Sequence, residues 1–469
     1  MGREEAGARF FCTAGRGMER FVMAELASRV CAAEVESVPG KVFFSAKLDL
    51  NQIKCVKSAE RVFLLLLNAP PISLAKHKGN LSGFLQTTII GEPHVWQEAL
   101  KLWQNLQKQL SEDDTPGHGR VQKRKLQDCP SECRSKMCKH DARAEESWSH
   151  DQSSTEAVVQ DENLGKEDMN KDRHQMLSSE TDETITFRVS CRCSGANTKK
   201  ITAQEAGRII GLSLSKLLGW KTDLRRPMLE VFVHLNDMYS VVGFPITREP
   251  LASRNYIQNT GLRSTTAWAM VSLAEIHMAS CVLDPMCGVG TILVEAAKEW
   301  PHASYLGIDI SDLQLKRAFG NVEKAGETDA VALLRGSALN LPVLSESVDV
   351  VISDVPFGKK FTCSKDMKEL LPDLIREMER VLRVGGVMVL LLSQNLHYHL
   401  KKKCHFKSAE TTRSPNNASD SSNPKEDEHT LPTEELLQEN DCFKSLVHVE
   451  SHSVSLGVTE AVIFKCKKT

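Results

Sequence analysis

The feature that most restricts this chain is an alternation that starts near residue 281. Short apolar runs at 281–284, 304–309, 331–335, 348–353 and 386–393 are separated by helical patterns at 290–299, 312–325 and 366–383. Runs of four to eight apolar residues suit strands buried on both faces. A parallel strand can follow another only through a crossover, usually a helix. The order predicts an α/β unit from about residue 251, a parallel sheet with helices on both sides.

The first 110 residues predict a smaller α/β unit. "RFFCTA" reads as a strand, "GMERFVMAELASRV" as an amphipathic helix and "GKVFFSA" as a strand after a Pro-Gly turn. A helix over "NQIKCVKSA", a strand over "ERVFLLLLNAP" and a helix at 93–110 follow. The last places Trp96, Leu100, Trp103, Leu106 and Leu110 on one face, a spacing that points to core. Beyond a polar stretch, "TITFRVSCRCSG" is a strand and "TAQEAGRIIGLSLSKLLGW" a helix with Thr202 and Glu205 in a capping-box pattern. The strands "PMLEVFVHLN" and "MYSVVGFPIT" meet at a tight turn. Near the end, "FKSLVHVES" and "EAVIFKCK" predict a terminal hairpin. The divisions are therefore 1–110, an insert at 111–183 expected to be disordered, 184–250, and 251–469 with a polar insert at 405–440.

Charge becomes informative once the chain is divided. The net charge is −2, but residues 111–184 hold 11 Lys/Arg against 18 Asp/Glu, and 405–440 hold 3 against 8. The remainder carries 45 basic and 35 acidic residues, the electrostatic footprint of a nucleic-acid partner. No apolar run reaches the roughly 18–20 residues of a membrane helix, and no apolar signal core follows the first residues, so a soluble intracellular protein without membrane association is expected. Fourteen scattered cysteines do not form a secreted disulfide framework. Cys129, Cys133 and Cys138 lie close together before His140, but free thiols in a polar insert are favoured and no metal ligand is assigned. "RVQKRK", Arg120 to Lys125, is a candidate nuclear-import cluster.

"CVLDPMCGVGTILVEAA" is the first motif that carries chemistry. A strand ends at Asp284, a loop runs through Met286, Cys287, Gly288, Val289 and Gly290, and a helix begins near Thr291. Glycines admit a ligand close to the backbone, and a helix N-terminus offers N–H groups to an anion. A dinucleotide loop needs a third glycine where Leu293 stands, so a smaller anion such as a carboxylate fits better. Asp309 ends the next strand, where an acid accepts from ribose hydroxyls. An adenosine cofactor with an amino-acid tail satisfies both: S-adenosylmethionine.

These residues resemble the class I S-adenosylmethionine-dependent methyltransferases, with a Rossmann-like, mostly parallel seven-stranded sheet. The resemblance implies cofactor contacts from Asp284, Met286, Cys287, Gly288, Gly290 and Asp309. It places Ser337 beside the adenine, where the family usually has an acid. "SDVPFGKK" then resembles the Asn/Asp-Pro-Pro-Tyr/Phe motif of enzymes that methylate an amino group attached to a π-system. Such an amine is a poor nucleophile. Asp354 and the Val355 carbonyl would accept from its two N–H groups, and Phe357 would stack on the flipped base. Pro356 would fix the turn, Gly358 make room, and Lys359 and Lys360 meet phosphate. Asp354, Pro356 and Phe357 are the implied catalytic set, with Val355, Gly358, Lys359 and Lys360 toward substrate.

The N-terminal half chooses among amines. Residues 8–75 resemble a ferredoxin-like lead-in and 184–248 much of a THUMP domain. "REPLASRNYIQNTGLRSTTAWAMVSLAEI" resembles the entry to the catalytic domain of THUMP-linked RNA guanine-N2 methyltransferases. Membership implies N2-methylguanosine formation in a structured small RNA, with U6 spliceosomal RNA favoured and tRNA next. It also implies a small zinc-binding activator subunit, and a nuclear location with the cytoplasm second. Two other readings remain: a non-catalytic RNA-binding protein with a degenerate methyltransferase domain, and a protein glutamine methyltransferase.

Overall fold

The computed structural model describes residues 8–47, 50–72, 79–113, 184–356, 367–403, 407–408, 443 and 445–469. The N-terminal half is built on one eight-stranded sheet. Its strands are β1 (Ala8–Thr13), β2 (Ala33–Val38), β3 (Lys41–Ala46), β4 (Arg61–Ala69), β5 (Thr186–Cys193), β6 (Lys221–Thr222), β7 (Leu229–Leu235) and β8 (Ser240–Pro245), in the order β2-β3-β1-β4-β8-β7-β5-β6. β4 pairs antiparallel with β8 from Phe63↔Pro245 to Ala69↔Ser240. Segments on either side of the long insert thus share one sheet.

Three helices of this half matter to the packing: α1 (Glu19–Glu25), α4 (Pro93–Asp113) and α5 (Ala203–Leu218); short α2 (Leu50–Lys54) and α3 (Leu81–Leu85) lie between the first two. Trp96, Trp103 and Leu106 of α4 and Ile210 and Leu214 of α5 join Phe187, Val231 and Phe244 of the sheet in one buried cluster. Both indole N–H groups find backbone acceptors, Trp96 at Ile90 O (2.7 Å) and Trp103 at Pro245 O (2.8 Å). That satisfies the polar atom of each buried ring, and the helical aromatic stripe is core. At α5 the Thr202 hydroxyl accepts from the Glu205 amide at 3.1 Å, and Gly219 ends the helix in the left-handed region.

The C-terminal half holds β9 (Cys281–Asp284), β10 (Ser304–Asp309), β11 (Val331–Arg335), β12 (Val348–Asp354), β13 (Leu382–Ser393), β14 (Lys407–Ser408), β15 (Leu446–Ser455) and β16 (Glu460–Lys468). The order is β11-β10-β9-β12-β13-β16-β15-β14. The five strands from β11 to β13 are parallel, and β16 enters antiparallel between β13 and β15 as the terminal hairpin. The seven expected strands are thus joined by an eighth of two residues. The helices are α6 (Ser264–Ser272), α7 (Thr291–Glu299), α8 (Asp312–Ala325), α9 (Met367–Val381) and α10 (Gln394–Lys403). β13 begins four residues earlier than its apolar run. Val348 pairs with Leu382 but Val350 with Val387, so the Gly-rich stretch between them bulges, with Gly385 at φ +79°.

The halves meet through packing and buried charge. Met18 and Phe21 sit in the same cluster as Val454, Ala461 and Ile463 of the hairpin. Gly17, at φ +86°, lies so near Ser453 that a Cβ would fall 2.0 Å from its carbonyl oxygen, so only glycine fits. Arg254 is buried, its Nε 3.0 Å from Glu295 Oε1 on α7, while another guanidinium nitrogen donates to Lys57 O at 2.8 Å. Among the described residues no helix is long and apolar enough to cross a membrane.

Candidate active site

In the C-terminal sheet the strand order reverses between β9 and β12. Such a switch point opens a crevice beyond the carboxyl ends of the strands. β12 pairs with β9 at Val350↔Val282 and Val351↔Leu283, so Asp284 and Asp354 end neighbouring strands there. Strand alternation then puts Ser353 in the interior, where its hydroxyl donates to Asp284 Oδ1 at 3.1 Å. The Met286 amide donates to the same oxygen at 3.2 Å.

Both acids are far from their ordinary state. Asp284 is 1% exposed. Loss of hydration, and after it the charges of Asp354 and Asp309, push its carboxyl up to about 8. Burial also raises Asp354, to about 7. Among the described residues neither has an ion-pair partner. Their position suits a group that brings positive charge.

The loop between β9 and α7 is held from below. The Cys287 amide donates to Ile308 O at 2.9 Å, the Gly290 amide to Cys287 O at 2.7 Å and the Gly288 amide to Asp309 Oδ2 at 2.9 Å. Asp309 uses Oδ1 for the Ser311 amide at 2.8 Å. Gly288 and Gly290 have φ of +51° and +76°. A Cβ on Gly288 would meet nothing within 4 Å, so the loop presents open space there. Gly307 of β10 makes room beneath: a Cβ would lie 2.6 Å from Leu293 and 3.1 Å from Cys287 Sγ. Cys287 itself is buried, with its thiol pushed up by burial and the nearby carboxylates, so only its backbone can serve a ligand.

The sequence-derived residues fall into three groups. Asp284, Met286, Cys287, Gly288, Gly290, Asp309, Asp354, Val355 and Pro356 lie along the ends of β9, β10 and β12. Ser337 lies past the end of β11, in a bridge with Asn340, its hydroxyl accepting from the Leu339 amide at 3.3 Å. Phe357, Gly358, Lys359 and Lys360 lie outside the described residues, as do Cys129, Cys133, Cys138 and the basic cluster Arg120–Lys125. Val355 is fully buried in the cluster with Leu371, Ile375 and Leu390, and its amide donates to Leu391 O at 3.1 Å. Its side chain is therefore committed to the core, and only its backbone can face substrate.

Sequence reasoning missed Asn321 of α8. It is 0% exposed and makes four hydrogen bonds: Oδ1 accepts from Gln258 N (2.8 Å) and Asn259 N (2.9 Å), and Nδ2 donates to Asn259 O and Val289 O (both 2.9 Å). The signal was present. Ala318, Val322 and Ala325 mark the inner face of α8, and Asn321 sits among them, a polar residue at a core position. Arg254 and Glu295 were missed because their pairing spans 41 residues.

The residues fit S-adenosylmethionine: a glycine cradle open to a close backbone approach, a strand-end acid on β10, and two carboxylates, Asp284 buried and Asp354 half-buried, suited to its cationic groups. Comparison with known proteins agrees. A family model described as UPF0020, RMKL-like, methyltransferase domain matches residues 252–413. The U6 snRNA (guanine-N(2))-methyltransferase THUMPD2 of Bos taurus is 43% identical over 505 residues, covering 100% of this chain and 97% of its own. The tRNA (guanine(6)-N(2))-methyltransferase THUMP3 of Mus musculus is 27% identical, covering 84% and 81%. Among solved structures, TrmN from Thermus thermophilus superposes with a TM-score of 0.60 at 18% identity, covering 98% and 99%. At that identity the likeness is one of fold.

Proposed function

The chain belongs to the THUMP-domain RNA guanine-N2 methyltransferases, and we propose that it transfers a methyl group from S-adenosylmethionine to the exocyclic amine of a guanosine in U6 spliceosomal RNA. The whole-length likeness to a U6 snRNA enzyme supports that RNA over tRNA. The carrying observation is the pair of carboxylates at the switch point, Asp284 buried and Asp354 half-buried, neither with an ion-pair partner among the described residues.

Bound there, the cofactor supplies an electrophilic methyl on a positively charged sulfur. The glycine loop would cradle its amino-acid part, Asp309 its ribose, and the region of Ser337 its adenine. Asp284, which holds its proton in the cofactor-free fold, would ionise beside the cofactor's positive charge and steady it. Asp354, once ionised, accepts a hydrogen bond from the guanine amine. That draws the nitrogen toward tetrahedral geometry and stabilises the charge that develops on it. The Val355 carbonyl, on a backbone anchored to β13, takes the second N–H. Pro356 stiffens the turn, and Phe357 stacks on the base. Lys359 and Lys360 meet the RNA backbone. Positioning of nitrogen and methyl supplies much of the rest.

We further propose a small zinc-binding activator subunit as partner. Among the described residues β11 is the edge strand of its sheet, and Leu334 upon it and Leu313 and Phe319 on α8 are exposed, an apolar border of the kind a partner covers. We propose a nuclear location, with the cytoplasm second; a U6 RNA substrate and the basic cluster Arg120–Lys125 support that reading.

The test is transfer of labelled methyl from S-adenosylmethionine to U6 RNA, tRNA and a glutamine peptide, with and without the activator. N2-methylguanosine in U6 RNA, lost in Asp354→Ala, is expected. Normal turnover by that variant would sink the mechanism. Cofactor-independent RNA binding with no transfer would favour the degenerate reading.

A further inference from the structure

Residues 254–261 lead into the catalytic half and lie against the cofactor loop. Arg254 fixes the start of this strap to Glu295 and to Lys57 O of the N-terminal half, and the Tyr256 hydroxyl adds a bond to Glu295 at 3.1 Å. At its far end, Gly261 approaches the loop so closely that a Cβ would lie 2.5 Å from Val289 Cγ2. Between these points, among the described residues, the hydrogen bonds that join the strap to the loop run through Asn321.

An amide side chain has two acceptor sites and two donors. Asn321 uses all four. Two backbone amides fall to its oxygen and two carbonyls to its nitrogen, so its partners settle which way the amide points. One end holds the strap at Gln258 and Asn259; the other holds the Val289 carbonyl, between Gly288 and Gly290. Those glycines sit in the left-handed region, where neither side-chain sterics nor regular helix geometry restrains the backbone. Something outside the loop must hold its shape, and this carbonyl is where the strap does so.

We propose that Asn321 is a positioning residue for the cofactor: by clamping the Val289 carbonyl to the 254–261 strap it sets the cradle, and through Arg254 ties that cradle to the N-terminal half. The inference rests on the cofactor reading above. Preordering the loop lowers the cost of binding. Removing the Nδ2 donors leaves two buried carbonyls short of a partner, and that cost falls on the loop rather than on contact with RNA.

The test uses full-length protein. Asn321→Asp is isosteric, keeps the acceptor for Gln258 and Asn259, and loses both donors. Gly261→Ala disturbs the same joint from the strap side and stands in if the first variant does not fold. Calorimetry with S-adenosylmethionine and with S-adenosylhomocysteine, beside RNA binding, is the readout. The expected result is a cofactor Kd raised about tenfold or more with RNA affinity unchanged. The cofactor KM should rise while kcat at saturating cofactor is kept. Unchanged cofactor affinity overturns the proposal. So does a parallel fall in cofactor and RNA affinity, which marks general loosening. Failure of the unaltered protein to bind cofactor removes the reading beneath it, and the inference with it.

Discussion

Buried carboxylates occur in two very different settings here. At the junction between the halves, Glu295 is 2% exposed and meets Arg254, itself held by a carbonyl of the other half, and the Tyr256 hydroxyl. At the switch point, Asp284 is just as buried, yet its partners are one amide and one hydroxyl, with Asp354 and Asp309 close enough to oppose its charge. The first setting supplies the counter-charge from within the chain. The second leaves it to be supplied. A buried charge without a counter-charge is costly, and sites that bear one are where binding and catalysis concentrate. The contrast separates acids that hold the molecule together from acids that wait for a ligand.

The largest expected effect breaks the first setting. Arg254→Ala strands the Glu295 carboxylate in the interior and should lower unfolding free energy by about 3–5 kcal/mol. Denaturant titration checks this. A loss below about 1 kcal/mol would mean that the junction is wet enough to hydrate the acid.

The second setting should respond in rate rather than stability. Asp354→Asn keeps shape but removes the acceptor charge, and methyl transfer should fall by about 10²–10³-fold. Asn carries no buried charge, so the variant should be no less stable than the parent. A variant that loses stability in step with its activity would place Asp354 with the structural acids.

Most of the catalytic half was legible because short apolar runs and helical patterns alternate cleanly from Cys281 onward, and because strand-end acids and loop glycines have few other uses. What escaped had no local signature. β2 exposes most of its side chains and carries only a brief apolar alternation at Ala33 and Val35. α6 is buried at nearly every position, so no polar face marks it as a helix. The sheet that joins β4 to β8 across the insert depends on pairing between strands remote in sequence. In the site, Asp284, Asp309 and Asp354 were readable as strand ends, whereas the roles of Asn321 and Arg254 exist only once distant segments touch.

pH sharpens the contrast more gently. The cofactor-free fold holds protons on Asp284 and Asp354 up to about 8 and 7, whereas the unfolded chain releases them near 4. A raised carboxyl contributes stability that is complete below the unfolded value and is lost as pH rises through the folded one. Melting temperature should therefore decline from about pH 4 to pH 8. Asp284→Asn should flatten that decline. S-adenosylmethionine, bringing positive charge to the same place, should raise the melting temperature more at pH 8 than at pH 5. A melting temperature that rises over this range would reverse the assignment.

The smallest effect comes from adding an acid where none is buried. Ser337 is only partly covered and makes one 3.3 Å contact with the Leu339 amide. A carboxylate there keeps much of its hydration, so Ser337→Asp should fold normally. If the adenine lies beyond the end of β11, its amino group gains a charged acceptor in place of a hydroxyl. The net value of one hydrogen bond is about 1 kcal/mol, so the Kd for S-adenosylmethionine should tighten roughly fivefold. S-adenosylhomocysteine shares the adenine and should gain as much; that parallel gain distinguishes a contact at the base from a long-range attraction to the sulfonium, which would favour the cationic ligand alone. No gain for either would move the adenine away from Ser337.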